Sequence, residues 1–262
     1  MTGRTFTAGA VQLDIVNGDI TGNMEKAFAL LDGLAARGTD LAVLPEMVSC
    51  GFDNERIRAH ARHTPDILGR LARYAGEKNM GVAGSFPQAD GDRVFNTLYF
   101  IDRDGSIKEG YRKLHLFRLT REHEFYTPGR AAMAIDTSFG RIGLMICYDL
   151  RFPELARQLF LDRAVLFIVS AQWPSARLAH WQALALARAI ENQSYFICSN
   201  RTGSDGELSF PGGSTIVDPL GNILAQAGAE ERSVTARIDM AEIDRARDLI
   251  PIEADRRKDI YG

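Results

Sequence analysis

A cysteine that closes an apolar run is the first residue of chemical interest. Cys147 follows residues 143–146 and precedes Tyr148-Asp149-Leu150-Arg151-Phe152-Pro153-Glu154, so the chain reads as a buried strand, a tight polar turn and a helix opened by proline. A sulfur there sits at the carboxyl end of a strand beside a helix N-terminus, whose unpaired N–H groups favour a thiolate. The arrangement has the logic of a nucleophile elbow, although the serine form Gly-x-Ser-x-Gly is absent. Glu46 likewise ends an apolar run, residues 41–45, and a carboxylate at a strand's carboxyl end in an α/β fold lies where ligands bind. Lys113 follows a strand-like stretch, residues 106–112. Taken singly, each has a plainer reading: an inert packing thiol, a turn carboxylate and a solvated lysine. They lie too far apart in the chain for spacing to join them.

What joins them is resemblance. Leu44-Pro45-Glu46, Arg112-Lys113-Leu114-His115-Leu116-Phe117 and Cys147-Tyr148-Asp149-Leu150-Arg151-Phe152-Pro153-Glu154 occur in that order. They resemble the Glu, Lys and Cys signatures of the nitrilase, or carbon–nitrogen hydrolase, superfamily. His180-Trp181, Ala187-Arg188-Ala189-Ile190-Glu191-Asn192, Gly213-Ser214 and Asp218-Pro219-Leu220-Gly221 extend the likeness over essentially the whole chain. The resemblance implies a four-layer α-β-β-α sandwich and a thiol amidohydrolase. Cys147 would attack an amide carbonyl, Glu46 would carry the proton from thiol to leaving amine, and Lys113 would stabilise the oxyanion. The Tyr148 backbone N–H is a plausible second oxyanion donor. A thioester would form as ammonia leaves, and water activated by Glu46 would release the acid. A second family carboxylate is matched best by Glu122, seven residues before Gly129, with Glu124 as competitor.

Finer details resemble the bacterial omega-amidase-like branch that acts on 2-oxoglutaramate: the two motifs above, Gln172-Trp173-Pro174, Arg177 and Asn200-Arg201-Thr202-Gly203. The expected partners are a small carboxylate-bearing monoamide and water. Amidases of deaminated glutathione or N-carbamoyl compounds are the alternative, and a nitrile-hydrolysing enzyme fits less well. Such a substrate needs a cation for its carboxylate; Arg151 is nearest to the nucleophile, with Arg118, Arg177 and Arg201 as alternatives. Tyr148 and Trp173 complete the expected binding residues. A non-catalytic binding or scaffold protein on the same fold and a Cys–His protease remain the other classes. In the family, the helix after the nucleophile and the one matching residues 178–192 pack across a subunit interface. The latter carries Trp181, Leu184, Leu186 and Ile190, which predicts at least a homodimer.

The elements that must position these residues alternate along the chain. Residues 6–13 alternate as a strand, and 23–37 carry apolar residues at helical spacing. Short apolar runs at 41–44, 80–86, 94–102, 141–146, 164–170 and 195–199 read as strands. Asp104-Gly105 turns the chain into a strand over 106–112. Residues 67–78, 153–161, 178–192 and 240–249 read as helices, and 218–222 as a turn between strands. Residues 113–130 have no clear period and read as a long functional loop. No linker or repeat divides the chain, so residues 1–262 are expected to form one α/β domain with mixed sheets.

Composition excludes several classes. The chain of 262 residues has 31 Lys+Arg against 34 Asp+Glu, a formal charge of −3, which gives no electrostatic footprint for nucleic acid. Hydrophobic residues make up 45%, enough for a large core without disulfides, yet no run approaches the roughly 18 residues of a membrane span. Met1-Thr2-Gly3-Arg4 leads straight into strand-like sequence, unlike a secretory leader. Three scattered cysteines, Cys50, Cys147 and Cys198, make no disulfide framework and suit a reducing cytoplasm. Cys50 and Cys198 read as packing residues. The histidines at 60, 63, 115, 123 and 180 show no metal-ligand spacing. There is also no phosphate loop or dinucleotide fingerprint, so neither a metal nor a cofactor is expected.

Overall fold

The computed structural model describes residues 4–261. Residues 1–3, which enter the reading against a leader, and Gly262 lie outside the described residues. The strands are β1 (Thr5–Gln12), β2 (Leu41–Val43), β3 (Gly81–Asp90), β4 (Arg93–Ile101), β5 (Tyr111–Arg112), β6 (Ala134–Thr137), β7 (Gly140–Ile146), β8 (Leu166–Ala171), β9 (Tyr195–Asn200), β10 (Thr202–Ser204), β11 (Ser209–Pro211), β12 (Thr215–Val217), β13 (Ile223–Gln226) and β14 (Arg232–Asp239). They form two six-stranded sheets, ordered β14-β1-β2-β3-β4-β5 and β13-β12-β9-β8-β7-β6, with β10 and β11 as a separate hairpin. In each sheet a parallel triplet, β1-β2-β3 or β7-β8-β9, is flanked by antiparallel strands.

Period-two alternation decides which face each residue covers. On β1, Phe6, Ala8 and Ala10 point into the core shared between the sheets, as do Leu41 and Val43 of β2. Val11, Ala42 and Leu44 point the other way, against Met24, Ala27, Leu31 and Leu34 of the helix Ile20–Ala36 and Ile67, Leu68 and Leu71 of the helix Thr64–Lys78. Strands β8 and β9 are covered on both faces and accordingly read as continuous apolar runs, buried throughout. The helices Pro153–Leu161 and Leu178–Asn192 close the far side with Leu155, Leu159, Trp181, Ala185 and Ala189. The result is the four-layer α-β-β-α sandwich. Among the described residues, no helix is long and apolar enough to cross a membrane.

The structure differs from the sequence expectation in several places. The strand expected over 106–112 is reduced to β5, with one isolated bridge between Ile101 and Ile107. Pairing lapses ahead of Gly110, where the backbone lies so close to Thr97 and Tyr99 that a Cβ would meet them at 2.6 and 2.9 Å. The segment 113–130 is not featureless: it holds helical turns at Arg118–Thr120 and Glu122–Phe125, too short to show a period. Strand β6, the β10–β11 hairpin and the eight-residue edge strand β14 are additional; β6, β10 and β11 are only three or four residues long. On the helix Leu178–Asn192, Trp181 is a core residue whose indole N–H donates to the Gly213 carbonyl. It is therefore not part of a free apolar face, whereas Ile190 is half exposed.

Candidate active site

The carboxyl ends of the two parallel triplets meet at one edge of the sandwich. Glu46 leaves β2 and crosses the seam: its Oε2 accepts from the Gln172 backbone N–H (2.9 Å), just past β8, and its carbonyl accepts from Gln172 Nε2 (2.8 Å). Its other oxygen accepts from Asn96 Nδ2 (2.8 Å) on β4 and from Lys113 Nζ (2.7 Å) just past β5. Asn96 is itself fixed, because its Oδ1 accepts from Ser85 Oγ at 2.8 Å. Lys113 Nζ also donates to Glu122 Oε1 (2.9 Å), and Glu122 Oε2 accepts from the Phe117 N–H (3.1 Å). Glu46, Lys113 and Glu122 are all buried. Of the two candidate second carboxylates, Glu122 lies in this cluster, while Glu124 faces solvent and pairs with Arg121.

Cys147 follows β7 and opens a turn of 3-10 helix, Cys147–Arg151, from a left-handed backbone at φ 44°. Non-glycine residues adopt that conformation at a cost of roughly 1–2 kcal/mol. The strained elbow aims Sγ into a cavity of about 740 Å³ whose wall includes Glu46, Glu122, Tyr148, Arg151, Gln172 and Trp173.

Burial pushes the Cys147 thiol well above its ordinary 9.0, and Glu46 pushes it further, more than Lys113 pulls it back. Burial and the Glu46 carboxylate thus oppose the thiolate that a helix N-terminus would favour. Burial opposes the charge on Lys113, but Glu122 and Glu46 outweigh it and hold the ammonium above its ordinary value. Glu122 is raised to about 7, by burial and by the Glu46 charge, against the pull of Lys113. The three groups thus form a buried cluster with one cation between two carboxylates. Two of the three Lys113 N–H groups are committed to them, leaving one for a ligand.

The expected binding residues fall unevenly. Tyr148, Arg151 and Trp173 all line the cavity. Arg151 stacks over the Trp173 ring at 4.7 Å, and its Nη2 lies 3.2 Å from His180 Nδ1. His180 is thus exposed and beside the site. Arg177 also lines the cavity, 5.6 Å over Phe117. Arg201 does not: it is wholly buried, packed at 4.2 Å on Phe210, and donates to Gln172 Oε1 and the Ser204 carbonyl. Arg118 is exposed and absent from the cavity wall. Cys50 and Cys198 are buried packing thiols. The sequence alone does not mark Asn96 or Ser85 as site residues, and marks Gln172 only as part of the Gln172-Trp173-Pro174 motif. A polar residue inside the apolar stretch Arg93–Ile101 was the available signal for Asn96.

Comparisons with known proteins identify the family. Residues 7–248 match the carbon–nitrogen hydrolase family. A 2-oxoglutaramate amidase of Bacillus subtilis is 37% identical, over 98% of this chain and 99% of that one. An omega-amidase of Bos taurus is 33% identical, over 98% and 97% of the two chains. A member of branch 10 of the nitrilase superfamily from Saccharomyces cerevisiae superposes with a TM-score of 0.90 over 97% of each chain, at 28% identity. The chain therefore belongs to the carbon–nitrogen hydrolase family of the nitrilase superfamily, and is a hydrolase of carbon–nitrogen bonds other than peptide bonds.

Proposed function

We propose that the protein hydrolyses the terminal amide of a small carboxylate-bearing monoamide, of the 2-oxoglutaramate or succinamate type, through a thioester on Cys147. The observation that carries this reading is the buried Glu46–Lys113–Glu122 cluster set against the Cys147 elbow at one cavity. In the first half-reaction Sγ attacks the amide carbon and Glu46 takes the thiol proton. The oxyanion is held by the remaining Lys113 N–H and the Tyr148 backbone N–H. Glu46 then gives its proton to the leaving nitrogen, the C–N bond breaks and ammonia departs. In the second half-reaction Glu46 removes a proton from water as oxygen attacks the thioester carbon. The C–S bond breaks, the proton returns to sulfur, and the acid leaves. Glu122 touches neither bond; it orients the ammonium.

Similarity to the named amidases and the cations in the cavity wall support the substrate class. Among the described residues, Arg151 and Arg177 have no carboxylate partner. The test is release of the leaving amine by purified protein: ammonia from 2-oxoglutaramate, succinamate, N-carbamoyl amino acids and neutral amides, and the dipeptide from deaminated glutathione. Fastest turnover of deaminated glutathione, of N-carbamoyl amino acids or of neutral amides would replace the reading. Arg151→Ala should raise KM for the carboxylate-bearing amide about 10- to 100-fold, the loss of a charge-assisted contact, and change a neutral amide much less. Equal losses on both would make Arg151 structural.

The reading includes self-association. Ile190 packs against Gly221, where an added Cβ would meet it at 2.6 Å, and with exposed Leu220 it leaves an apolar surface on the second sheet's helical side. Light scattering at micromolar concentration should give at least a dimer mass; a monomer would refute it.

A further inference from the structure

Asp149 is fully buried two residues beyond Cys147. It accepts four hydrogen bonds from two separate stretches of chain. Oδ2 takes the Ile146 backbone N–H (2.9 Å), immediately before the nucleophile, and the Tyr111 hydroxyl (2.7 Å). Oδ1 takes the His115 backbone N–H (3.1 Å) and lies 2.7 Å from His115 Nδ1, which therefore carries the proton. Tyr111 and His115 each stand two residues from Lys113, and the Tyr111 hydroxyl also accepts from the Leu114 N–H at 3.3 Å. The His115 ring stacks on Phe152 at 3.6 Å and 8°, and Phe152 closes the nucleophile turn through its N–H to the Asp149 carbonyl. One carboxylate thus ties the segment bearing Cys147 to the segment bearing Lys113.

We propose that Asp149 and His115 form a brace that sets the position of Cys147 relative to Lys113, acting as positioning residues that touch neither substrate nor reacting atoms. The left-handed backbone at Cys147 must be held by its surroundings, and the Ile146 N–H bond to Asp149 is where this hold reaches the elbow. An error of about 1 Å at a reacting group costs on the order of 100-fold in rate. The proposal rests on reading Cys147 and Lys113 as nucleophile and oxyanion donor.

Because the His115 side chain is partly exposed, its variants test the brace without opening the core. The Asn amide nitrogen overlays imidazole Nδ1 and can still donate to Asp149; the Gln nitrogen overlays Nε2 and cannot. His115→Ala and His115→Gln should lower kcat about 10- to 100-fold with KM within about threefold. His115→Asn should stay within about threefold of wild type in both. The rate of Cys147 alkylation by iodoacetamide should follow the same order, since Glu46 must reach the thiol in either reaction. An alanine variant as active as wild type, or an asparagine variant no better than alanine, would overturn the brace. Alkylation requires no hydrolysed amide, so it tests the brace even if the proposed substrates fail. Turnover retained by Cys147→Ala would instead overturn the reading of the nucleophile.

Discussion

Cys147→Ala is expected to abolish ammonia release, by on the order of 10⁴-fold or more, while leaving the melting temperature nearly unchanged. Removing a nucleophile whose neighbours act only through it costs about as much as removing the whole set. The fold should tolerate the change, because the side chain is small and borders a cavity. Iodoacetamide should modify Cys147 ahead of the other two thiols. Burial raises all three, Cys50 to about 12 and Cys147 and Cys198 well above 9.0. Only Cys147 combines an opening to the cavity with a carboxylate base beside it. Equal labelling of the three cysteines, or retained turnover in the alanine variant, would sink the thioester route.

The same thiol shows what was legible in the chain and what was not. Its place at a strand end followed by a turn and a proline-opened helix is a local pattern, and the structure keeps it as β7, the 3-10 turn and the helix Pro153–Leu161. Its protonation is not local. It depends on two sheets closing over it and on Glu46, about a hundred residues earlier in the chain, arriving from the other sheet. Asn96 makes the same point: its partner Glu46 is 50 residues away, and in sequence it is only a polar interruption in β4. Arg201 shows the reverse error. In sequence it is one of the arginines that could hold a substrate carboxylate, but the fold turns it inward against Phe210, where it donates to Gln172. The strands and helices were readable because alternation and continuous apolar runs report burial directly; their four-layer stacking was implied by the family resemblance, and pairings between sheets leave no trace in the sequence.

Lys113→Met carries the second large effect, and it acts on rate and stability together. Loss of a preorganised oxyanion donor costs about 2.7–4 kcal/mol, or 10²- to 10³-fold in kcat. The variant also leaves Glu46 and Glu122 facing each other without a cation in a buried site, and breaking such a pair costs about 3–5 kcal/mol. The pH dependence follows from Glu122. Its folded-state value, about 7, lies above the ordinary 4.5, so between those values the folded chain binds more protons than the unfolded one. Stability is therefore lost as pH rises through that window. Without Lys113, which pulls Glu122 down, the folded value rises further and the window extends to higher pH. Lys113→Met should thus melt roughly 10 °C below wild type at pH 8, and by less than about half that deficit near pH 5, where Glu122 is protonated. Differential scanning calorimetry at the two pH values, with kcat at pH 8, checks both. An equal deficit at both pH values would mean that Glu122 does not carry the extra proton. A kcat within about tenfold of wild type would remove Lys113 from the oxyanion site.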